Sequence, residues 1–180
     1  MFTDSTTWAL SDITENSNSP ATLSSSILSG TDFVMVPIFV DEGGTRLYIK
    51  DHLEGKIIQA SIATANDISS TIAYVAKSPA YFSLAADSLT FSSNGTKLFY
   101  GPAGGIREHS LSTAWDITTV SNTINSSLSV PASSAYGGFA FNAAGTTLYS
   151  SYSGPGGIGS DVYTAYWTLS TAFDLSTASA

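Results

Sequence analysis

Apolar positions along this chain fall in short alternating runs. No stretch repeats them at the 3.6-residue period of a helix, so the pattern predicts strands throughout. Phe-x-x-x-Gly-Thr-x-Leu-aromatic reads as strand, tight turn, strand, with Asn94-Gly95 a strong hairpin signal because both residue types tolerate positive φ. Alternation through Leu98 and Tyr100, and again through Leu148 and Ser150, predicts half-buried strands. A Gly/Pro-rich loop from Gly101 to Gly105 precedes a predicted third strand over Ile106 to Leu111. A Ser-Thr-Ala-x-Asp corner follows, and Asn122 to Val130 offers a fourth strand.

This order recurs. Gly44-Thr45-Arg46-Leu47-Tyr48, Gly95-Thr96-Lys97-Leu98-Phe99 and Gly145-Thr146-Thr147-Leu148-Tyr149 share a register, with glycines 51 and 50 residues apart. Phe91 and Phe141 stand four residues before their glycines; Phe39 is expected to fill that part in the first copy, with one residue inserted in the turn. A second anchor ends in Asp67, Asp116 and Asp174, which lie 23, 21 and 29 residues after Gly44, Gly95 and Gly145. The longest interval contains the insertion Gly154-Pro155-Gly156-Gly157-Ile158-Gly159.

Four strands in about 50 residues is the signature of a propeller blade. The expected fold is therefore all-β: three tandem four-stranded blade-like repeats over about 15–67, 68–116 and 117–174, in one domain spanning 1–180. Trp8 to Thr14 resembles a degraded corner and gives a partial blade over 1–14; 175–180 is a tail. Rings of known propellers use about four to eight blades. Three blades then call for completion by oligomerisation, and a dimer giving six blades is the favoured expectation.

Composition narrows the function. Charged residues make up 11%, less than half of the roughly 25% usual in soluble domains, and hydroxyl and small residues replace them. The net charge of −8 and the scattering of only six Lys and Arg argue against nucleic acid, whose binding needs a dense basic stripe, and against anionic membrane surfaces. Cysteine is absent, which excludes disulfides and thiolate metal sites. Met1 to Thr14 has no basic n-region, unlike a signal peptide. The longest apolar run, Phe33 to Val40, is interrupted by Pro37 and falls well short of the ~20 residues of a membrane helix.

The stretch Leu111-Ser112-Thr113-Ala114-Trp115-Asp116-Ile117-Thr118, with its upstream hairpin, resembles the repeat of propeller-like proteins of tailed bacteriophages, especially marine and cyanobacterial ones, and of some secreted bacterial proteins. The resemblance runs from about Trp8 to Ala178 and implies a propeller-like fold with a structural or adhesive role on a virion or cell exterior. It carries no catalytic residues.

Individual residues add little chemistry. Asp67, Asp116 and Asp174 are read as acceptors that fix their corners rather than as cation ligands, since they fall in separate blades. His52 and His109 lack a third partner for a metal or a triad, and no Gly-x-Ser-x-Gly elbow occurs. Asp41 and Glu42, before the Gly43-Gly44 turn, are expected to be solvated. The loops at Gly101 and Gly154 lack the Lys-Ser/Thr of a phosphate loop. Tyr100 and Tyr152 flank these loops, with Arg107 and His109 nearby, and form the expected rim for a sugar or partner; packing between sheets is the other reading of both tyrosines. Two sequons, Asn94-Gly95-Thr96 and Asn125-Ser126-Ser127, would be idle in a phage or bacterial protein. The sequence thus predicts a non-catalytic phage tail, fibre or capsid-surface protein, without cofactor or metal, that assembles with itself and with other virion proteins. A secreted carbohydrate- or protein-binding propeller is the alternative, with a surface glycan as its possible ligand.

Overall fold

The computed structural model describes residues 37–51, 54–68, 70–79, 82, 88–101, 105–130, 136–153 and 161–180. The N-terminal corner at Trp8–Thr14, His52 and the glycine-rich insertion from Gly154 to Gly159 lie outside them. The described residues form three four-stranded antiparallel sheets. The first holds β1 (Ile38–Val40), β2 (Arg46–Asp51), β3 (Lys56–Ile62) and β4 (Ile72–Lys77) in chain order. The second holds β5 (Leu89–Phe91), β6 (Lys97–Tyr100), β7 (Gly105–Ser110) and β8 (Ser126–Ser129); the third holds β9 (Tyr136–Phe141), β10 (Thr147–Ser153), β11 (Val162–Leu169) and β12 (Ala178–Ser179). The architecture is all-β and blade-like, as the repeat predicts.

Each first hairpin is closed in the same way. Gly44, Gly95 and Gly145 take φ of 65°, 71° and 71°, and their amides donate to the carbonyls of Asp41, Ser92 and Asn142. A turn ending in a left-handed residue suits glycine, which lacks the Cβ that resists this conformation. The register corrects one expectation. Val40, Phe91 and Phe141 pair with Leu47, Leu98 and Leu148, so Val40 is the equivalent of the two phenylalanines and the first turn has no insertion. Phe39 is one position earlier and points to the opposite face, where its ring lies 5.3 Å from that of Phe91.

Asp41 is not solvated either. It is buried, and its carboxylate accepts from the Thr45 and Arg46 amides and from the Arg46 guanidinium. The turn's inward N–H groups need an acceptor, and the chain supplies it by three different means. Asn142 Oδ1 takes the Thr146 and Thr147 amides, while in the second sheet Asn94 Oδ1 and Ser92 Oγ share the task. Glu42 is exposed, as expected.

The Ser-Thr-Ala-x-Asp corner folds back on this turn. Its x residue, Asn66, Trp115 or Phe173, is left-handed, with φ of 61°, 64° or 55°. Its amide donates to the carbonyl of Gly44, Gly95 or Gly145 at 2.9 Å. The side chain covers the glycine so closely that a Cβ on Gly95 would fall inside the Trp115 ring, and one on Gly145 inside the Phe173 ring. This contact offsets the strain of a left-handed non-glycine residue. Asp116 and Asp174 then cap single 3-10 turns, Ile117–Thr119 and Leu175–Thr177, each accepting from the amide and hydroxyl of the residue two further on. The second of these hydroxyls, on Ser176, holds the Asp174 carboxyl below its usual range.

Burial occurs between sheets. Tyr48 and Ile57 of the first sheet pack on Leu98, Tyr100, Leu111 and Ile117 of the second. Phe99 and Ile106, on the far side of the second, pack on Leu148, Trp167, Leu169 and Leu175 of the third. These faces exclude water over most of their apolar side chains, and such burial drives the stacking.

Candidate functional site

Two features could carry chemistry: the polar groups that join the sheets, and a cleft where the first strands meet. The joining groups repeat from one interface to the next. Tyr48 Oη donates to the Trp115 carbonyl at 2.7 Å, and Lys97 Nζ donates to the Phe173 carbonyl at 2.7 Å. Gln59 Oε1 accepts from the Ile117 amide and Glu108 Oε2 from the Leu175 amide, both at 3.0 Å. Gln59 and Glu108 are opposite Tyr48 and Phe99 in their sheets, so they occupy one repeat position. Where Phe99 lacks a hydroxyl, Lys97 reaches the carbonyl from two residues away and also pairs with Glu108 Oε1 at 2.9 Å. These groups are committed to structure. Burial raises the Tyr48 phenol well above its ordinary range, which keeps it a neutral donor.

The cleft lies at the turn end of β1, β5 and β9 and encloses about 310 Å3. Its walls include the rings of Phe39, Phe91, Trp115, Phe141 and Phe173, and polar groups of Glu42, Ser92 and Asn142 border it. Phe39 and Trp115 stack nearly parallel, 11° apart with centroids 6.4 Å apart, and Phe141 and Phe173 are 5.1 Å apart. The aromatic residues at the corners thus serve twice: one face covers a turn glycine, and part of the ring borders the cleft. Among the described residues, no lysine, arginine or histidine lines it. Among the described residues, no group of three or more histidine, cysteine or acidic side chains could hold a metal ion.

The four residues proposed as a rim do not form one surface. Tyr100 and His109 are buried between the first two sheets, their rings 5.4 Å apart and both close to Phe82. Arg107 donates to Tyr100 Oη at 3.0 Å. Tyr152 is in the third sheet, stacked on Tyr163 with centroids 5.8 Å apart. His109 Nδ1 donates to the Ser121 carbonyl at 2.9 Å, which leaves Nε2 as a buried acceptor without a partner among the described residues. Burial pushes this imidazole below its usual pKa, and Arg107 adds to the shift.

No family model matches the chain, and no curated protein does. Solved structures match in fold. A protein of Bacteroides uniformis described as a putative 6-phosphogluconolactonase aligns with a TM-score of 0.52 at 12% identity, over 74% of this chain and 37% of its own length. A functionally unknown protein of Desulfotomaculum acetoxidans aligns with a TM-score of 0.49 at 12% identity, over 77% of this chain and 45% of its own. This chain therefore spans less than half of either neighbour. The likeness to the first is one of fold. It overturns the expectation of a phage structural or adhesive protein: the neighbour bears an enzyme's name and not that of a virion component.

Proposed function

We propose that this chain is a binding protein whose blade-like sheets hold a small uncharged ligand with a flat apolar face in the aromatic cleft. The cleft itself carries this reading. Partly buried rings offer dispersion and apolar contact, and the hydroxyl and amide at the border supply the few polar contacts that orient a ligand. Among the described residues, the groups best suited to acid–base work are engaged elsewhere: Glu108 and Asp41 in backbone hydrogen bonds and ion pairs, and His109 in the interface between sheets. Lactonase chemistry on the lactone of a phosphorylated sugar acid finds little support here. An anionic phosphate calls for Arg, Lys or clustered N–H donors, whereas Glu42 is the only charged side chain among the described residues lining the cleft.

The experiment is a titration followed through the indole N–H resonance of Trp115, assigned by its loss in Trp115→Phe. Indole and p-nitrophenyl glucoside serve as neutral ring probes and 6-phosphogluconate as the anionic one. Saturable shifts with a neutral ring, and none with 6-phosphogluconate, are expected. Binding of 6-phosphogluconate alone, or of none of the three, overturns the reading.

A further inference from the structure

The two interfaces between the described sheets follow one plan, and the first and third sheets leave exposed some of the positions which that plan buries. On the third sheet, Tyr149 occupies the position of Tyr48 and Phe99, and its partner across the ladder, Tyr166, that of Gln59 and Glu108. Tyr48 and Phe99 are fully buried, while Tyr149 and Tyr166 are 53% and 66% exposed, with Val162 further along the same face at 74%. Thr164 and Thr168 share this face and are exposed, and a groove of about 590 Å3 runs along it between Ala140 and Thr164. At the opposite end, Ile38 and Ile68 take the places of Leu89 and Ile117. They are 61% and 49% exposed, against 7% and 0% for those equivalents. Leu47 and Ile49, in the middle of that sheet, are already buried, so the open area of the first sheet is its inner strand and its corner.

We infer that the face bearing Tyr149 and Tyr166 receives the first sheet's corner, Thr64 to Ile68, of a second copy of this chain. The reason is continuity with the internal interfaces. In both, a side-chain donor meets the carbonyl of the left-handed corner residue, and an aliphatic residue two further on is buried against the facing sheet. Tyr149 has the hydroxyl that Tyr48 uses, and Asn66 has the left-handed backbone of Trp115 and Phe173. Tyr166, larger than Gln59 or Glu108, covers the aliphatic residue with its ring. The face carries no charged side chain among its described residues, so a chain of net charge −8 meets no local repulsion there. The contact is head-to-tail. Two copies related by a twofold axis would each give and receive it once. This surface does not involve the aromatic cleft.

Light scattering and sedimentation on the whole chain test the inference, with two single variants whose folding is checked by thermal melting. Tyr166→Arg and Ile68→Glu are each expected to shift the wild-type dimer, twice the 18.7 kDa of one chain, toward monomer by at least tenfold in dissociation constant. Mixed together, they are expected to regain pairs, because each retains the half that the other has lost. A wild-type monomer at 100 µM overturns the inference. So does a dimer broken by Tyr166→Arg but unaffected by Ile68→Glu, the behaviour of a face that pairs with itself. So does a mixture that stays monomeric.

Discussion

Glu108 offers the sharpest test of how the sheets are joined. Its carboxylate is buried, with one oxygen on the Leu175 amide at 3.0 Å and the other on Lys97 at 2.9 Å. Glu108→Ala removes both partners. The Leu175 N–H is left buried without an acceptor, a cost of about 1–3 kcal/mol, and the space of the missing side chain adds to it. Lys97 loses its counter-ion but is partly exposed and keeps the Phe173 carbonyl, so that loss is worth at most about 1 kcal/mol. The sum is about 2–4 kcal/mol. Glu108→Gln keeps an acceptor for Leu175, as Gln59 does for Ile117, and is expected to cost about 1 kcal/mol or less. Urea denaturation resolves the two, and melting follows at about 2–4 °C per kcal/mol for a chain of this size. Equal losses for Ala and Gln would refute the reasoning, because they would show that the amide acceptor is not what matters.

Three further outcomes are expected. Gly95→Ala places a Cβ inside the Trp115 ring at a φ of 71° and should destabilise by at least about 2 kcal/mol, read as a lower urea midpoint; an unchanged midpoint would remove the glycine-and-corner contact from the account. Asp116→Ala loses the cap on Ile117–Thr119 and should cost about 1 kcal/mol, with Asp116→Asn close to neutral, both measured by melting. His109 is held neutral by burial. Its folded pKa is below the unfolded value, so the stability it contributes is complete above about pH 6.5 and is lost as pH falls from there through the depressed pKa. His109→Asn should flatten that part of the stability–pH curve, and an unaltered slope would assign the effect to another group.

Where the backbone demanded a particular residue type, the repeat was legible. A left-handed turn residue needs glycine, and a corner with hydroxyls around an Asp needs those side chains, so Gly44, Gly95 and Gly145 and the three aspartates stood out. Positions defined by register did not. Residue type points to Phe39, whereas the ladder fixes place and pairs Val40 with Leu47. Asp41 was expected in solvent because an acidic pair before two glycines looks like a surface turn; the amides of Thr45 and Arg46 turn inward and take its carboxylate with them. Tyr100 and His109 flank a loop in sequence, yet alternation sends both side chains between sheets. The cleft is half visible in the sequence: Phe91 and Phe141 stand before their glycines, and Trp115 lies in the corner stretch. Missing was the arrangement of the sheets, which brings the turn ends of β1, β5 and β9 together.

The same reasoning explains how a solved structure can share this fold at 12% identity. The repeated elements of each interface are a backbone carbonyl and a backbone amide, and the side chains that satisfy them are interchangeable. The first interface uses Tyr48 and Gln59, the second Lys97 and Glu108. If the two sets are equivalent solutions, transplanting the first into the second should succeed as a group. Lys97→Arg, Phe99→Tyr and Glu108→Gln together reproduce Arg46, Tyr48 and Gln59 at one interface. Phe99 is fully buried on the face toward the third sheet, so its new hydroxyl would be directed at the Phe173 carbonyl, as that of Tyr48 is at Trp115. Phe99→Tyr alone should destabilise, since Lys97 already holds that carbonyl and the added hydroxyl competes for it. In the triple variant the loss should shrink, with a favourable coupling of about 0.5–3 kcal/mol between the sites. Urea curves for the single and combined variants supply that coupling. Strict additivity would mean that the two interfaces owe their stability to packing alone, with the polar groups incidental to it.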